Sequence, residues 1–431
     1  MPTWSHGAPE TRYEAHFGDR VVRCYAERPR TVCEMLDQAI ARNPRGEALV
    51  LGNRRLTWSQ VGAHVARLAG GLVARGIHPG DRIALVLQNS IEFPLALWAA
   101  ARVGAIVVPI SHRSQTAELR YILNQCGAAL IVHDSGLGAL LPPPSEVPTV
   151  LGRVSTGPFP GSDDFEALQQ CDDSSTSAQV GEEDTALIIY TSGTTGRPKG
   201  AMITHMNLVH AALTYARCMQ LTAQDRSIVA VPMSHVTGIA ALISAVLACA
   251  STLIIMPAFK ASDFLELAAA ERMTHTVLVP AMYNLCLLCS EFDSHDLSAW
   301  RVGGYGGAPM PPATIAALAR KLPKLAQMNC FGATETVVAV AIMPGDETAA
   351  YPDRVGRAVP CAELVVMNDA GHELPRVSTA SCGSADRLLF AGTGTTPRPQ
   401  RLISLPASGT RATSVRSRPK AWSAFTIERR T

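Results

Sequence analysis

The sequence predicts an α/β protein with two doubly wound, parallel-type sheets that are covered by helices. Two observations support this prediction: strand-like apolar runs alternate with helical segments in the first third of the chain, and the same alternation begins again near residue 186. A third is the composition. A chain of 431 residues with 47% hydrophobic and 17% charged residues is large and apolar enough to bury an extensive core.

The first third of the chain is predicted to alternate helices and strands. Thr31 and Glu34 form a capping-box pattern, in which both side chains satisfy free N–H groups at the start of a helix. Strands with helices between them follow at residues 83–87, 105–109 and 128–132. This order implies a parallel sheet. A second helix ends at Gly76, and its apolar face carries Val61, Val65, Leu68 and Leu72.

The middle of the chain is predicted to start a second sheet. Residues 134–184 are rich in Pro, Ser, Gly and Asp, which is typical of a loop-heavy connection. The alternation resumes with a strand at 186–190. Further strands are expected at 227–231, 252–256 and 276–279, with helices between them.

One uncharged segment, Ile239–Met256, is almost long enough to cross a bilayer. It breaks near Cys249 into a helix and a strand, so the pattern favours core elements over a membrane span. We expect no transmembrane segment. The N-terminal residues also lack a basic stretch followed by an apolar one, which argues against a signal peptide.

Charge and cysteine content exclude several classes of function. With 38 basic and 36 acidic residues the net charge is +2, which does not favour nucleic acid as a partner. Cys286 and Cys289 are the only closely spaced pair among 11 cysteines, and no second pair or nearby histidine completes a metal site. Buried, reduced thiols predict a cytoplasmic protein.

The strand at 186–190 runs into a loop whose residue types suit polyphosphate. Between Thr191 and Gly200 there are four hydroxyl side chains, three glycines and Lys199. Glycines let backbone N–H groups approach phosphate oxygens, hydroxyls donate further hydrogen bonds, and lysine adds positive charge. A flexible polar surface loop is the alternative. The candidate phosphate ligands are Thr191, Ser192, Gly193, Thr194, Thr195, Gly196 and Lys199.

A P-loop NTPase is a rival interpretation of the same loop. That motif requires Gly-x-x-x-x-Gly-Lys followed at once by Ser or Thr. Here Arg197 and Pro198 separate Gly196 from Lys199, and Gly200 follows the lysine. The spacing therefore excludes a P-loop.

The segment Tyr190–Gly200 resembles the signature of the adenylate-forming, or AMP-binding, superfamily, which includes acyl-CoA synthetases, luciferases and peptide-synthetase adenylation domains. The resemblance is to the fatty-acid–CoA ligase type and implies the fold of the N-terminal domain of these enzymes. It implies that the loop holds the β- and γ-phosphates of ATP. ATP, Mg²⁺, CoA as co-substrate and a small-molecule carboxylic acid are the ligands to expect.

Further segments resemble family motifs in the family's order. Val231–Gly238 resembles the segment whose histidine, here His235, lies near the acyl group and the thiol tunnel. Without the resemblance, a hydrogen-bonded structural histidine is the favoured interpretation, and the resemblance makes the functional interpretation equally good. The glycine-rich segment after a strand predicted at 300–302 resembles the adenine site, and an ordinary turn is its alternative. Its candidate residues are Gly306, Gly307 and Ala308.

A third segment, Asn329–Thr336, resembles the family's Tyr-Gly-x-Thr-Glu box. The resemblance implies that Phe331 stacks on adenine beside Gly332, that Thr334 bonds the α-phosphate and that Glu335 holds Mg²⁺. Mg²⁺ is a hard cation that prefers carboxylate and phosphate oxygens. Residues 353–360 resemble the segment that leads to the ribose site.

The implied reaction is attack of a carboxylate on the α-phosphorus of ATP, which releases pyrophosphate. CoA then displaces AMP from the acyl-adenylate. Lys199, His235, Thr334 and Glu335 are the candidate catalytic residues. Residues 233–238, 281–288 and 303–308 are expected to line the acid pocket, and their apolar character suits a fatty or aryl acid.

We expect residues 1–29 to form an N-terminal arm and 30–375 to form the AMP-binding domain. Residues 376–431 carry ten basic and two acidic residues, and are expected to be a disordered tail outside the family pattern. The family's ribose-binding Asp and its C-terminal domain with the adenylation lysine are not recognisable here. A product truncated after a frameshift near Pro375 is one hypothesis, because residues 379–387, 392–397, 408–414 and 426–431 can encode family motifs one nucleotide out of frame.

Impaired ligase activity follows from that hypothesis. Two alternatives remain open: a non-catalytic nucleotide- or acyl-binding remnant, and a carrier-linked adenylation domain.

Overall fold

The computed structural model of the protein describes residues 9–170, 178–191 and 197–367, together with the strands at 387–391 and 424–428. The strands, in chain order, are β1 (Thr11–His16), β2 (Arg20–Tyr25), β3 (Glu47–Leu51), β4 (Arg54–Thr57), β5 (Arg82–Val86), β6 (Ile106–Pro109), β7 (Ala128–His133), β8 (Gly152–Ser155), β9 (Asp163–Asp164), β10 (Thr185–Thr191), β11 (Lys199–Thr204), β12 (Arg226–Val229), β13 (Thr252–Ile255), β14 (His275–Leu278), β15 (Val302–Gly306), β16 (Ala326–Phe331), β17 (Ala341–Ile342), β18 (Arg357–Ala358), β19 (Glu363–Met367), β20 (Arg387–Ala391) and β21 (Ala424–Glu428).

The α-helices are α1 (Val32–Arg42), α2 (Trp58–Ala74), α3 (Glu92–Arg102), α4 (Thr116–Cys126), α5 (His205–Cys218), α6 (Ala245–Cys249), α7 (Ala261–Ala270), α8 (Pro280–Leu287) and α9 (Pro312–Lys321). A π-helix, Thr237–Ser244, runs directly into α6. Short 3₁₀ turns lie at Ser135–Leu140, Pro144–Glu146, Phe165–Gln170, Phe292–Ser294 and Thr334–Thr336.

Two large sheets form the body of the protein, as predicted. The first has the order β11-β10-β6-β5-β7-β8-β9 and is parallel from β10 through β9, with β11 antiparallel at its edge. The second has the order β18-β17-β16-β15-β14-β12-β13-β3-β4 and is parallel from β16 through β3. The doubly wound α/β class is confirmed.

The division of strands between the sheets differs from the prediction in two places. The strand β10 was expected to start the second sheet, yet it pairs in parallel with β6 of the first. The hairpin β3–β4 comes from the first third of the chain, yet it completes the edge of the second sheet through β13. Hydrophobic periodicity identifies strands, whereas the neighbour of each strand is chosen by tertiary packing. The predicted loop connection also contributes β8 and β9 to the first sheet.

The first helix is capped by Thr31 as expected from the sequence, but one of the two expected hydrogen bonds has a different donor. The Thr31 hydroxyl accepts from the Glu34 N–H at 3.1 Å, but the Glu34 carboxylate accepts from the N–H of Arg30 rather than from that of Thr31. The full capping box occurs one helix later, between Thr57 and Gln60. The predicted apolar face of α2 is buried, as its residues Val61, Val65, Leu68 and Leu72 show.

The uncharged segment at residues 239–256 lies in the core. It forms the π-helix, α6 and β13, whose residues are nearly all buried. In the described part of the chain no helix combines the length and apolar character that a membrane span needs. The described cysteines, including Cys286 and Cys289, are all unpaired thiols.

The predicted N-terminal arm contains a hairpin of β1 and β2, and ion pairs between side chains connect it to the first sheet. The Arg28 side chain is fully buried and donates to the carboxylates of Glu14 at 2.7 Å and Glu182 at 2.8 Å. Glu182 lies just before β10, so this network joins the hairpin to the strand that leads into the predicted phosphate loop.

The tail contributes two strands in a separate sheet: β20 pairs antiparallel with β19, and β21 pairs antiparallel with β20. A disordered segment was expected there, and this part of the tail differs from that expectation. The runs Leu388–Phe390 and Phe425–Ile427 are rich in residues that favour strands. The proposed frameshift motifs lie almost entirely outside the described residues.

Candidate active site

The candidate site lies along one edge of the second sheet. Strands β12, β14, β15 and β16 are parallel neighbours or near neighbours, so their carboxyl ends open on the same side. The loops that follow them carry His235, Gly306–Ala308 and Phe331–Glu335. In open α/β sheets ligands bind in the crevice outside these strand ends. The topology therefore gathers three sequence-predicted groups at the place where a ligand is expected.

The predicted phosphate loop connects β10 and β11 of the first sheet. Thr191 pairs with Lys199 across the hairpin, and the Thr191 hydroxyl lies 3.5 Å from the Lys199 carbonyl oxygen. The candidate residues Ser192, Gly193, Thr194, Thr195 and Gly196 lie outside the described part of the chain. The two residues that flank the loop, Thr191 and Lys199, are therefore neighbours in the sheet.

The C-terminal end of this loop contacts α4. The Tyr121 hydroxyl donates to the Pro198 carbonyl at 3.3 Å, and the Arg197 guanidinium carbon lies 5.9 Å from the centre of the Tyr121 ring. The side chain of Lys199 is exposed. Strand β11 also packs against the turn Thr334–Thr336. The strand that follows the predicted phosphate loop therefore lies beside the predicted Thr-Glu box.

The glycine-rich segment corrects one prediction. The strand expected at 300–302 is instead β15, Val302–Gly306, so the first glycines belong to the strand rather than to a turn. They are buried where side chains would not fit: a Cβ on Gly304 would lie 2.9 Å from Val277 Cγ2. The Tyr283 hydroxyl donates to the Gly304 carbonyl at 2.9 Å. Because glycine has no side chain, these residues can pack in a strand although glycine usually favours turns.

The turn itself begins at the end of β15. A Cβ on Gly306 would lie 2.6 Å from the Cys330 carbonyl oxygen, so the backbones of β15 and β16 approach closely there. Gly307 has φ +79°, a conformation that favours glycine. Gly307 and Ala308 are exposed. The result is a flat backbone surface at the strand ends, which suits contact with a planar base.

The Phe331–Gly332 step sits at the end of the neighbouring strand β16. Phe331 is half-buried and pairs with Ala341. Gly332 is exposed on one side, while a Cβ placed on it would lie 2.8 Å from the Val338 carbonyl oxygen. No larger residue fits without moving the loop that carries Thr334.

The Thr334–Thr336 turn is fixed from behind by its own residues. The Thr336 hydroxyl accepts from the Ala333 N–H at 3.0 Å and donates to the Val338 carbonyl at 2.8 Å. Val337 has φ +63°, which is a strained conformation for a β-branched residue. Strain of this kind tends to cluster at functional sites.

Glu335 is half-buried in this turn, and burial raises the pKa of its carboxyl group above the ordinary value. In the described part of the chain no lysine, arginine or histidine forms an ion pair with it. A carboxylate removed from water without a counter-charge is unfavourable. The site would therefore be better satisfied by a cation, and a single carboxylate beside phosphate oxygens is the environment that Mg²⁺ accepts.

His235 lies in the loop after β12 and is exposed. Although the ring reaches solvent, desolvation by the surrounding protein lowers its pKa, and the nearby positive charge of His112 and Arg113 lowers it further. His112 and Arg113 follow β6 of the first sheet. The site is therefore bordered by both sheets, and the pKa of its imidazole is held below the ordinary value of histidine.

Sequence reasoning missed several residues that support the site. Tyr215 of α5 is buried, and its hydroxyl accepts from the Ala339 N–H at 3.1 Å behind the Thr-Glu box. His112 and Arg113 were also missed. The available signal for these two was their place after the predicted strand 105–109, since polar residues after a parallel strand face the ligand edge. No comparable signal distinguished Tyr215 from a core residue.

Comparison with known proteins gives the same family as this geometry. Residues 36–396 match the family described as AMP-binding enzyme. A long-chain-fatty-acid–CoA ligase of Mycobacterium tuberculosis, FadD13, is 31% identical over 346 residues, covering 78% of this chain and 67% of the relative. A feruloyl-CoA synthase of an Amycolatopsis species is 32% identical over 317 residues, covering 73% of this chain and 61% of the relative.

Solved structures agree with the fold. The inhibitor-bound crystal structure of the N-terminal domain of FACL13 from Mycobacterium tuberculosis superposes with a TM-score of 0.76 at 28% identity, covering 84% of this chain and 89% of that one. The matched region is about two thirds of the length of the curated relatives. Since the family match extends over most of the chain and the strand edge has the arrangement described above, the protein belongs to the AMP-binding enzyme family, in which its relatives are acyl-CoA ligases.

Proposed function

We propose that this chain activates a carboxylic acid with ATP, forming an acyl-adenylate, and then transfers the acyl group to CoA. The observation that carries the proposal is the contact between β11 and the turn Thr334–Thr336. Lys199 is the first residue of β11 and Glu335 lies within that turn, so the contact supports a common role for the two residues. An exposed positive charge, and a carboxylate with no ion-pair partner among the described residues, are the groups that a metal–polyphosphate needs.

In the first half-reaction a carboxylate oxygen of the acid forms a bond to the α-phosphorus of ATP. The bond from that phosphorus to the bridging oxygen breaks, and pyrophosphate leaves with the electron pair. Lys199 offsets the negative charge of the β- and γ-phosphates, and the Thr334 hydroxyl donates to the α-phosphate. Positioning and electrostatic stabilisation dominate such transfers.

In the second half-reaction the thiol sulfur of CoA forms a bond to the acyl carbon, and the bond from that carbon to the phosphate oxygen of AMP breaks. AMP leaves with the electron pair, and the thiol proton passes to solvent. His235, whose pKa is lowered by desolvation, lies beside the place where the acyl group is bound in this proposal. Phe331 and the backbone of Gly306–Ala308 contact the adenine.

Glu335 is the residue that would hold Mg²⁺, for the reasons of burial and unpaired charge given above. When bound, Mg²⁺ supplies positive charge to the phosphates of ATP. A half-buried carboxylate with a raised pKa is a costly feature for an apo-protein, and a resident cation accounts for it.

We propose a fatty or aryl acid as the substrate. Similar proteins carry names that include long-chain fatty acids, ferulate and indoleacetate, so the family covers both kinds of acid. Leu285 of α8 and Leu288, which follows the helix, are 52% and 82% exposed, while Tyr283 and Cys286 of α8 are buried. The exposed leucines give one segment of the predicted acid pocket an apolar surface. A cytoplasmic location is proposed with this function.

The proposal is tested by two assays on the full chain: calorimetric titration with Mg·ATP, and exchange of radiolabelled pyrophosphate into ATP in the presence of fatty or aryl acids. Lys199→Ala is expected to weaken ATP binding and exchange. Lys321→Ala is the matched control, because Lys321 pairs with Asp293 at the end of α9, away from the strand edge. Binding without exchange would favour a non-catalytic nucleotide-binding protein instead. Absence of both would overturn the proposal.

A further inference from the structure

One buried side chain, Asn89, joins the two sheets at the candidate site. Asn89 follows β5 of the first sheet and is only 7% exposed. Its Nδ2 donates to the Val231 carbonyl at 2.9 Å and to the Met256 carbonyl at 3.0 Å. Its Oδ1 accepts from the Met233 N–H at 2.8 Å. Both donors and the oxygen of the amide are thus bonded to backbone groups that follow strands of the second sheet.

The partners determine the orientation of this amide. Two carbonyl oxygens require donors and one backbone N–H requires an acceptor, so only one of the two amide orientations satisfies all three groups. Val231 and Met256 follow the adjacent parallel strands β12 and β13. Asn89 therefore fixes two neighbouring strand ends of the second sheet relative to the first.

The backbone of Asn89 is itself held in place. The N–H of the preceding residue, Gln88, donates to the Asp134 carboxylate at 2.7 Å. Asp134 follows β7, and its own N–H donates to the Val86 carbonyl at 3.1 Å. Hydrogen bonds at the ends of β5 and β7 thus restrain the backbone that carries the Asn89 amide.

The restraint continues from Met233 to His235 over a very short path. The His235 N–H donates to the Pro232 carbonyl at 3.1 Å, which closes a turn. Gly238 packs so tightly against this turn that a Cβ on it would lie 2.5 Å from the Pro232 oxygen. Because this hydrogen bond and the packing of Gly238 restrain the turn, a shift of Val231 or Met233 would also move His235.

We propose that Asn89 is a positioning residue, which holds the His235 imidazole at the border of the two sheets through its hydrogen bonds to Val231, Met233 and Met256. The role assigned to His235 rests on the function proposed above, whereas the positioning itself does not. A local error of about 1 Å in the placement of a reacting group can cost on the order of 100-fold in rate. Small shifts of this turn therefore matter to catalysis more than to folding.

The alternative is that Asn89 serves only the stability of the junction between the sheets. The two interpretations differ in what happens to His235. Its pKa is set by desolvation and by His112 and Arg113, which face it from the end of β6. If Asn89 positions the imidazole, removing the amide changes the surroundings of His235 and therefore its pKa. If Asn89 is only structural, a variant that still folds leaves the pKa of His235 unchanged.

The test compares Asn89→Leu with Asn43→Leu in the full chain. Asn43 is a matched control, because its amide also donates to a backbone carbonyl, that of Ala250 at 2.9 Å, away from the site. The chain is labelled with ¹³C at histidine Cε1, and the His235 signal is assigned by its loss in His235→Gln. We expect Asn89→Leu to move the His235 titration midpoint towards that of an ordinary histidine, and Asn43→Leu to leave it unchanged. An unchanged His235 titration in folded Asn89→Leu would overturn the proposal.

A second measurement addresses the reaction. The rate of acyl transfer to CoA is expected to fall by at least about tenfold in Asn89→Leu, with no further fall when the substitution is made in His235→Ala. Additive losses in the double variant would contradict positioning through His235. If Asn89→Leu does not fold, Asn89→Ser keeps an acceptor for Met233 and is judged by the same criteria. A wild-type chain without ATP binding would refute the proposed function alone, because the His235 titration still decides the role of Asn89.

Discussion

The hydroxyl of Tyr215 accepts a hydrogen bond from the backbone N–H of Ala339 at 3.1 Å, and Tyr215 is almost completely buried. This contact joins α5, the helix that follows the phosphate-loop hairpin, to the segment that follows Thr334–Thr336. Two parts of the site that lie 124 residues apart in sequence are therefore connected behind the ligand surface.

Tyr215→Phe is expected to leave the Ala339 N–H without a partner in the core. An unsatisfied buried donor costs about 1–3 kcal/mol, so the free energy of unfolding should fall by that amount. Urea titration followed by tryptophan fluorescence measures it. Tyr13→Phe is the control, since Tyr13 is 73% exposed and should change little. Equal stability of the two variants would show that the Tyr215–Ala339 bond contributes nothing.

Gly332→Ala is expected to disturb the Thr-Glu box by overpacking. The new Cβ would lie 2.8 Å from the Val338 carbonyl and 3.0 Å from Ala339 Cα, both of which are backbone atoms and cannot rotate away. Overpacking typically costs about 1–3 kcal/mol.

Thermal unfolding should therefore show a lower midpoint for Gly332→Ala, and Mg·ATP titration a weaker affinity. Gly136→Ala is the matched control, because no atom lies within 4 Å of its Cβ position. Unaltered stability and affinity in Gly332→Ala would mean that the loop adapts freely.

Much of the fold could be predicted from the sequence because it depends on local patterns. The buried face of α2 follows from apolar spacing, and the sheet strands follow from short apolar runs between turn residues. Sheet membership could not be predicted. Nothing in the residues of β10 specifies β6 as its neighbour, because pairing in a buried parallel sheet depends on the packing of the whole layer.

The candidate site divides in the same way. Motif residues such as Lys199 and Glu335 could be singled out because a resemblance gave each a role, and their roles stay predictions. Asn89 and Tyr215 act through buried hydrogen bonds to backbone groups of distant segments. A sequence shows the side chain but not the partner, so supporting residues of this kind become visible only in three dimensions.

Arg28→Met is expected to destabilise the protein strongly. The Arg28 side chain is fully buried and contacts the carboxylates of Glu14 and Glu182, which would be left without their main counter-charge. Breaking a buried ion pair by removing one partner costs about 3–5 kcal/mol. Arg12→Met is the control, because Arg12 also pairs with Glu14 but is 54% exposed, and an ion pair in contact with water contributes little to stability.

The same network predicts a pH dependence. The hydrogen bonds from Arg28 hold the pKa of Glu14 well below its ordinary value of 4.5. A carboxyl whose pKa is lowered by folding stabilises the native state above the unfolded pKa, and that contribution is lost as the pH falls below it. Wild-type stability should therefore fall with acidification below about pH 4.5, and the difference from Arg28→Met should narrow there. A difference that stays constant with pH would exclude this linkage.

Glu335→Gln is expected to stabilise the ligand-free protein and to weaken its affinity for Mg²⁺ and ATP. Burial raises the pKa of Glu335 above 4.5, so folding disfavours its charged form. Below the unfolded pKa both states are protonated and no penalty exists. The penalty grows as the pH rises through the folded pKa, and it is complete above it. Glutamine has nearly the same shape without the charge and avoids the penalty.

The thermal midpoint of Glu335→Gln should therefore exceed that of wild type at pH 8, and the two should converge near pH 4. Adding Mg·ATP should reverse the order at pH 8, because binding stabilises only the form that retains the carboxylate. Glu266→Gln on α7 is a control that should change neither comparison, since the Glu266 side chain is exposed and lies on a helix away from the Thr334–Thr336 turn. A Glu335→Gln variant that is less stable than wild type without ligand would show that the carboxylate serves the fold rather than a cation.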